Sequence, residues 1–133
     1  MSSADRARVY IDYLSAEGFR PEIDSDDDIV FKSEGLTYCI LMDDGDDEFF
    51  RVLLPNFWKL DSDQEILPAA EAVNYANSVT KLAKLTIRKD RNTIDASVEL
   101  LLKNPADIRH IFLRSLGALQ LASRKFAKKM HDM

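Results

Sequence analysis

The residues of this chain best suited to chemistry are two dense runs of carboxylates, Asp24-Ser25-Asp26-Asp27-Asp28 and Asp43-Asp44-Gly45-Asp46-Asp47-Glu48. Clustered carboxylate oxygens are what a hard cation such as calcium requires. Neither run has the spacing of a helix–loop–helix calcium loop, which spreads its ligands over about twelve positions and ends in a glutamate beyond a central glycine. Here Glu48 is followed at once by the strand-forming Phe49 and Phe50. A solvated hairpin turn for the second run and a surface loop for the first are the expectation, and a divalent-cation or small-ligand sensor using these loops is the alternative. The other reactive side chains are scattered. Cys39 stands between Tyr38 and Ile40 in an apolar run, where a thiol behaves as a small buried apolar group. A nucleophilic thiolate would want a helix N-terminus or an adjacent base. His110 and His131 are too far apart to share a metal by helical spacing, and both are read as surface histidines. No glycine-rich phosphate loop, nucleophile elbow or paired-cysteine spacing occurs. The expectation is a chain that is not an enzyme, with no catalytic residue, metal ligand or cofactor.

Composition narrows the class further. A length of 133 residues, 46% hydrophobic and 31% charged, fits one domain spanning residues 1–133 with enough apolar surface for a core. The net charge of −5 and pI near 5.0 argue against general nucleic-acid binding, which needs a basic surface. Arg124, Lys125, Lys128 and Lys129 are the exception, and there cations complement a helix C-terminus. The lone cysteine rules out an internal disulfide. The start Met1-Ser2-Ser3-Ala4-Asp5-Arg6 lacks the apolar stretch of a signal peptide, and no apolar run approaches the roughly 20 residues of a membrane span. A cytoplasmic protein that does not enter a membrane is expected.

The elements that must position these residues follow from periodicity and turn signals. Ser3 to Glu17 places Ala7, Tyr10, Tyr13 and Leu14 on one side of a helix that Gly18 stops. Ile29 to Lys32, Leu36 to Met42 and Glu48 to Leu54 read as three strands in a meander, with turns at Glu34-Gly35 and Asp43–Asp46 and a stop at Pro55. Phe57 and Trp58 then fall in a loop, where they either plug the core or form one edge of a peptide groove; the core plug is favoured. A second helix runs from Leu67 or Pro68 to about Leu82. Ile66, Ala70, Val73, Ala76 and Thr80 share one side, and Tyr75, Val79 and Leu82 the other. A second hairpin alternates Leu85 and Ile87, turns at Asp90-Arg91-Asn92, and alternates again through Ile94, Ala96, Val98 and Leu100.

After Asn104-Pro105 the last helix carries a core stripe of Ile108, Phe112, Ser115, Leu119, Ala122, Phe126 and Met130. On its back lie Leu113, Gly117 and Leu121, with a glycine where another backbone could come close. The class is α+β, in the order α-β-β-β-α-β-β-α: an antiparallel sheet of about five strands, with the first and last helices on one face and the second nearby.

That order resembles the type III secretion chaperone-like fold, which includes the YbjN-like proteins. Local wording adds to it: Phe49-Phe50-Arg51-Val52-Leu53-Leu54 into Pro55, Ala69-Ala70-Glu71-Ala72-Val73-Asn74-Tyr75-Ala76-Asn77, and Lys84-Leu85-Thr86-Ile87. The resemblance spans essentially the whole chain and implies a protein-binding role, chaperone-like or regulatory, as a homodimer without a cofactor. The residues expected to meet a protein or peptide partner, or a second copy, are Leu113, Gly117 and Leu121, with Tyr75, Val79 and Leu82 as a rival patch and Phe57 and Trp58 as a third.

Overall fold

The structure, a computed structural model, describes residues 1–133. Helix α1 spans Ser3–Ala16; strands β1 to β4 span Glu22–Ile23, Ile29–Ser33, Leu36–Leu41 and Phe49–Lys59; helix α2 spans Ile66–Val79; strands β5 and β6 span Ala83–Arg88 and Thr93–Leu101; helix α3 spans Ile108–His131. All six strands form one antiparallel sheet in the order β1-β2-β3-β4-β6-β5. The fold is α+β, with six strands rather than about five. The additional strand is β1, which is too short to show a period and is defined by pairing Glu22 with Val30 and Ile23 with Ile29.

Local chemistry accounts for the ends of most elements. Ser2 caps α1 by accepting the Asp5 amide at 3.1 Å. At its other end Gly18 takes a φ of +95°, and the Gly18 and Phe19 amides return to the Ser15 and Leu14 carbonyls. This is a complete Schellman motif. Between β2 and β3, Glu34 and Gly35 both have positive φ across a Ser33–Leu36 pair, the type I′ geometry that a two-residue hairpin favours.

Two expectations are corrected in β4 and α2. Pro55 does not end β4, which runs on to Lys59 through an irregularity between Leu54 and Trp58. The proline is tolerated because β3 pairs only with Arg51 to Leu53 and the β6 register breaks at that point, so no ladder bond needs its missing N–H. Within the bulge Asn56 has a left-handed φ of +53°. Its amide donates to the buried Asp95 Oδ1 at 2.8 Å, and its Oδ1 accepts from Thr93 Oγ1 at 2.8 Å. Phe57 and Trp58 are therefore strand residues, not loop residues. In α2 the buried stripe is Ala69, Ala72 and Ala76 rather than one through Ala70, which is exposed. These small side chains let α2 lie close to α3 at the β5 edge.

The core lies between the sheet and one layer of helices. Phe31, Tyr38, Ile40, Phe50, Val52, Leu54, Ile94, Ala96 and Val98 point from the strands toward α1 and α3. Phe112 of α3 is its hub, with ring centroids 5.7 Å from Tyr13, 5.7 Å from Phe19 and 5.4 Å from Phe31. Truncating such a buried ring costs about 3–5 kcal/mol. The expected α3 core stripe is buried from Ile108 to Phe126, with Met130 half-buried.

Candidate functional site

Sheet position brings Cys39 together with Asp24 and Asp28: their ligating atoms lie within 4.8 Å of one another. The carboxylates already serve the backbone. Asp24 Oδ1 accepts the Asp26 and Asp28 amides at 2.9 and 3.0 Å, and Asp28 Oδ1 accepts the Met42 amide at 2.7 Å. They close the β1–β2 turn and tie it to the end of β3, as Asx turns do. Burial pushes the Asp28 carboxyl up, and the neighbouring carboxylates of Asp24, Asp26 and Asp27 add to this against the Met42 bond. Burial, followed by the charges of Asp28 and Asp24, pushes the Cys39 thiol up to about 12. A thiol held protonated to that degree is a poor nucleophile.

The second acidic run is also a turn. Asp43 Oδ1 accepts the Gly45 amide at 2.8 Å and Asp46 Oδ1 the Glu48 amide at 3.1 Å. Its anchor is Arg6 of α1, which is 1% exposed and donates from Nη2 to the Asp43 carbonyl at 2.6 Å. The histidines stay apart: His110 accepts from Arg109 Nε at 3.2 Å, and the His131 ring stands against Trp58 at 5.9 Å.

Two members of each of the apolar patches that the sequence offered as rivals meet at one surface. Val79 and Leu82, at and after the end of α2, face Gly117 and Leu121 of α3 across a groove of about 430 Å3, which Lys81, Arg114 and Ala118 also line. A second hollow of about 180 Å3 shares Leu82 and Arg114 and extends past His110 and Leu100. Gly117 is not there for close packing against another part of the chain, because outside its own stretch of helix no atom lies within 4 Å of where its Cβ would stand. It forms an open floor.

Leu82 is unusual in another way. It adopts a φ of +70°, a conformation that a bulky apolar residue reaches only at a cost, and it is 45% exposed. A glycine would meet the turn's demand without strain.

Tyr75 is exposed, and Lys129 Nζ lies over its ring at 5.2 Å. Leu113 is exposed on the outer side of α3 and does not line the groove. Phe57 and Trp58 are elsewhere, half-buried with their rings edge-on to Phe126 at 5.7 and 5.3 Å. They plug the core.

Sequence reasoning missed Lys81 and Arg114 at the groove and Leu100 in the adjoining hollow. The signal for Arg114 was present: α3 contains six of the basic residues, Arg109, Arg114, Arg124, Lys125, Lys128 and Lys129, and no acidic one. It also missed the helix-free side of the sheet. There Val30, Cys39 and Leu53 form one cross-strand row, followed by Ser97 and Lys84. Nearby Glu99 Oε1 meets Lys84 Nζ at 2.9 Å and Arg51 Nε at 3.6 Å. No helix is long and apolar enough to cross a membrane. Compared with known proteins, the chain matches no family model and no curated sequence.

Proposed function

We propose that this protein is a non-enzymatic binding module, chaperone-like or regulatory, that holds a segment of another protein in the groove between α2 and α3 and works as a homodimer in the cytoplasm. The observation that carries the reading is the convergence of Val79, Leu82, Gly117 and Leu121 on one concave, apolar-lined surface that no segment of the chain fills. Apolar side chains left in such a hollow are an interaction surface in the making. The resemblance to secretion chaperone-like proteins points the same way.

Site-directed photocrosslinking tests the site. In a Cys39→Ser background, a benzophenone on Leu121→Cys is expected to trap a discrete protein adduct in cells, whereas the same label on Thr86→Cys of the helix-free sheet face is not. Equal labelling from both positions would remove the groove from consideration. Light scattering tests the dimer separately, and a strictly monomeric species at all concentrations would sink that part.

One observation favours a second reading, cation sensing: the proximity of Asp24, Asp28 and Cys39. Calorimetric titration with zinc and with calcium decides it. Neither heat nor a change in melting temperature is expected.

A further inference from the structure

The groove has a sign as well as a shape. None of the protein's salt bridges involves α3, so its six cations are not neutralised by ion pairing. Arg114, Ala118, Leu121, Lys125 and Lys129 recur at helical spacing along one side of α3. That side faces α2, as Lys129 over Tyr75 and the shared groove lining establish. Lys81 faces it from the α2–β5 connection. The helix dipole accounts for Lys128 and Lys129 in the last turn but not for Arg109 in the first, where a cation is disfavoured. The basic row stands on a chain whose net charge is −5, so it is a local feature of this face rather than a property of the whole surface.

We propose that the occupant of the α2–α3 groove is an acidic amphipathic segment of a partner protein, its apolar side chains seated against Val79, Leu82 and Leu121 over the Gly117 floor and its carboxylates meeting Lys81, Arg114 and Lys125. The proposal rests on the protein-binding reading above and adds the chemistry of the partner. A second copy docking groove to groove is disfavoured because it would set one basic row against another. An acidic amphipathic segment meets both the apolar lining and the cations, whereas a nucleic acid offers phosphates to the cations and little to the apolar lining. The strained Leu82 fits this use. A glycine would relieve the strain at this φ, whereas the leucine, 45% exposed, supplies a wall to the groove.

The test uses fluorescent peptides of about 16 residues with leucines at i, i+3, i+4 and i+7, the spacing of a helix seated in a groove. One carries glutamates at the remaining positions; the other carries lysines. The full-length protein is expected to bind the acidic peptide at least about tenfold more tightly than the basic one. Binding should weaken between about 50 mM and about 300 mM salt as screening shortens. Arg114→Glu and Leu82→Gly should each weaken binding about tenfold or more, while circular dichroism shows an unchanged fold in both variants.

Equal binding of both peptides, lost in Leu82→Gly, would overturn the acidic partner and leave the protein-binding groove standing. Binding of neither peptide would overturn both readings at this site. Tighter binding of phosphatidylserine vesicles or single-stranded DNA than of the acidic peptide would overturn the peptide assignment. Self-association that Arg114→Glu abolishes would identify the occupant as the acidic loops of a second copy and overturn it equally.

Discussion

At the scale of single residues, the groups that look reactive are occupied by structural duties. Asp24, Asp28, Asp43 and Asp46 each accept backbone amides, which is how short acidic side chains stabilise turns. Cys39 is half-buried beside two of these carboxylates. Its thiol is pushed up to about 12, by burial first. Because the folded value lies above the unfolded one, the thiol's contribution to stability is complete below the unfolded pKa of about 8.5 and is lost as pH rises toward the folded value. Ellman's reagent at neutral pH is expected to modify the native protein far more slowly than the urea-unfolded chain. Equal rates would show that the thiol is not held in this environment.

At the scale of elements, α2 is fastened to the sheet edge by one side chain. Asn77 accepts the Leu85 amide through Oδ1 at 2.9 Å and donates through Nδ2 to the Leu85 carbonyl at 3.4 Å. The asparagine amide thus occupies the outer side of β5 as another strand would, and protects an edge that could recruit other chains. Asn77→Ala strips both bonds from a half-buried backbone group. The expected cost is about 1–2 kcal/mol, read as a lower urea midpoint, with faster turbidity on warming. An unchanged midpoint would mean that alanine packing against α3 alone holds α2 in place.

At the scale of the whole molecule, one side of the sheet is closed by helices and the other is a strand surface stitched by charge. Glu99 of β6 is held below its ordinary carboxyl value, chiefly by the Lys84 hydrogen bond; burial is the next largest effect and opposes it, and the Lys84 and Arg51 charges add to the lowering. A depressed carboxyl contributes stability above the unfolded value of about 4.3, and this contribution disappears as pH falls through the lower folded value. Glu99→Gln is therefore expected to flatten the acid limb of the melting temperature between about pH 5 and about pH 3, with a small amplitude because the pair is partly solvated. A mutant that follows the parent over that range would assign the acid limb to other carboxylates.

The sequence by itself determined the features that repeat over short distances: the core stripe of α3 from Ile108 to Phe126, the alternation of Ile94, Ala96 and Val98, the Gly18 helix stop, the Glu34-Gly35 hairpin and the α+β order. Each follows from a local period or a local φ requirement, so the neighbours along the chain carry the signal. What the tertiary structure alone decided was non-local. Strand β1 exists because Glu22 and Ile23 find Val30 and Ile29. Strand β4 survives Pro55 because the adjoining ladders break there. The second apolar face of α2 and the back of α3 read as alternatives along the chain. Parts of both form one groove because alanines let α2 sit beside α3, which sets Val79 and Leu82 against Gly117 and Leu121. No periodicity contains that fact: it depends on which helix lies beside which, and packing settles that only once the whole sheet has formed.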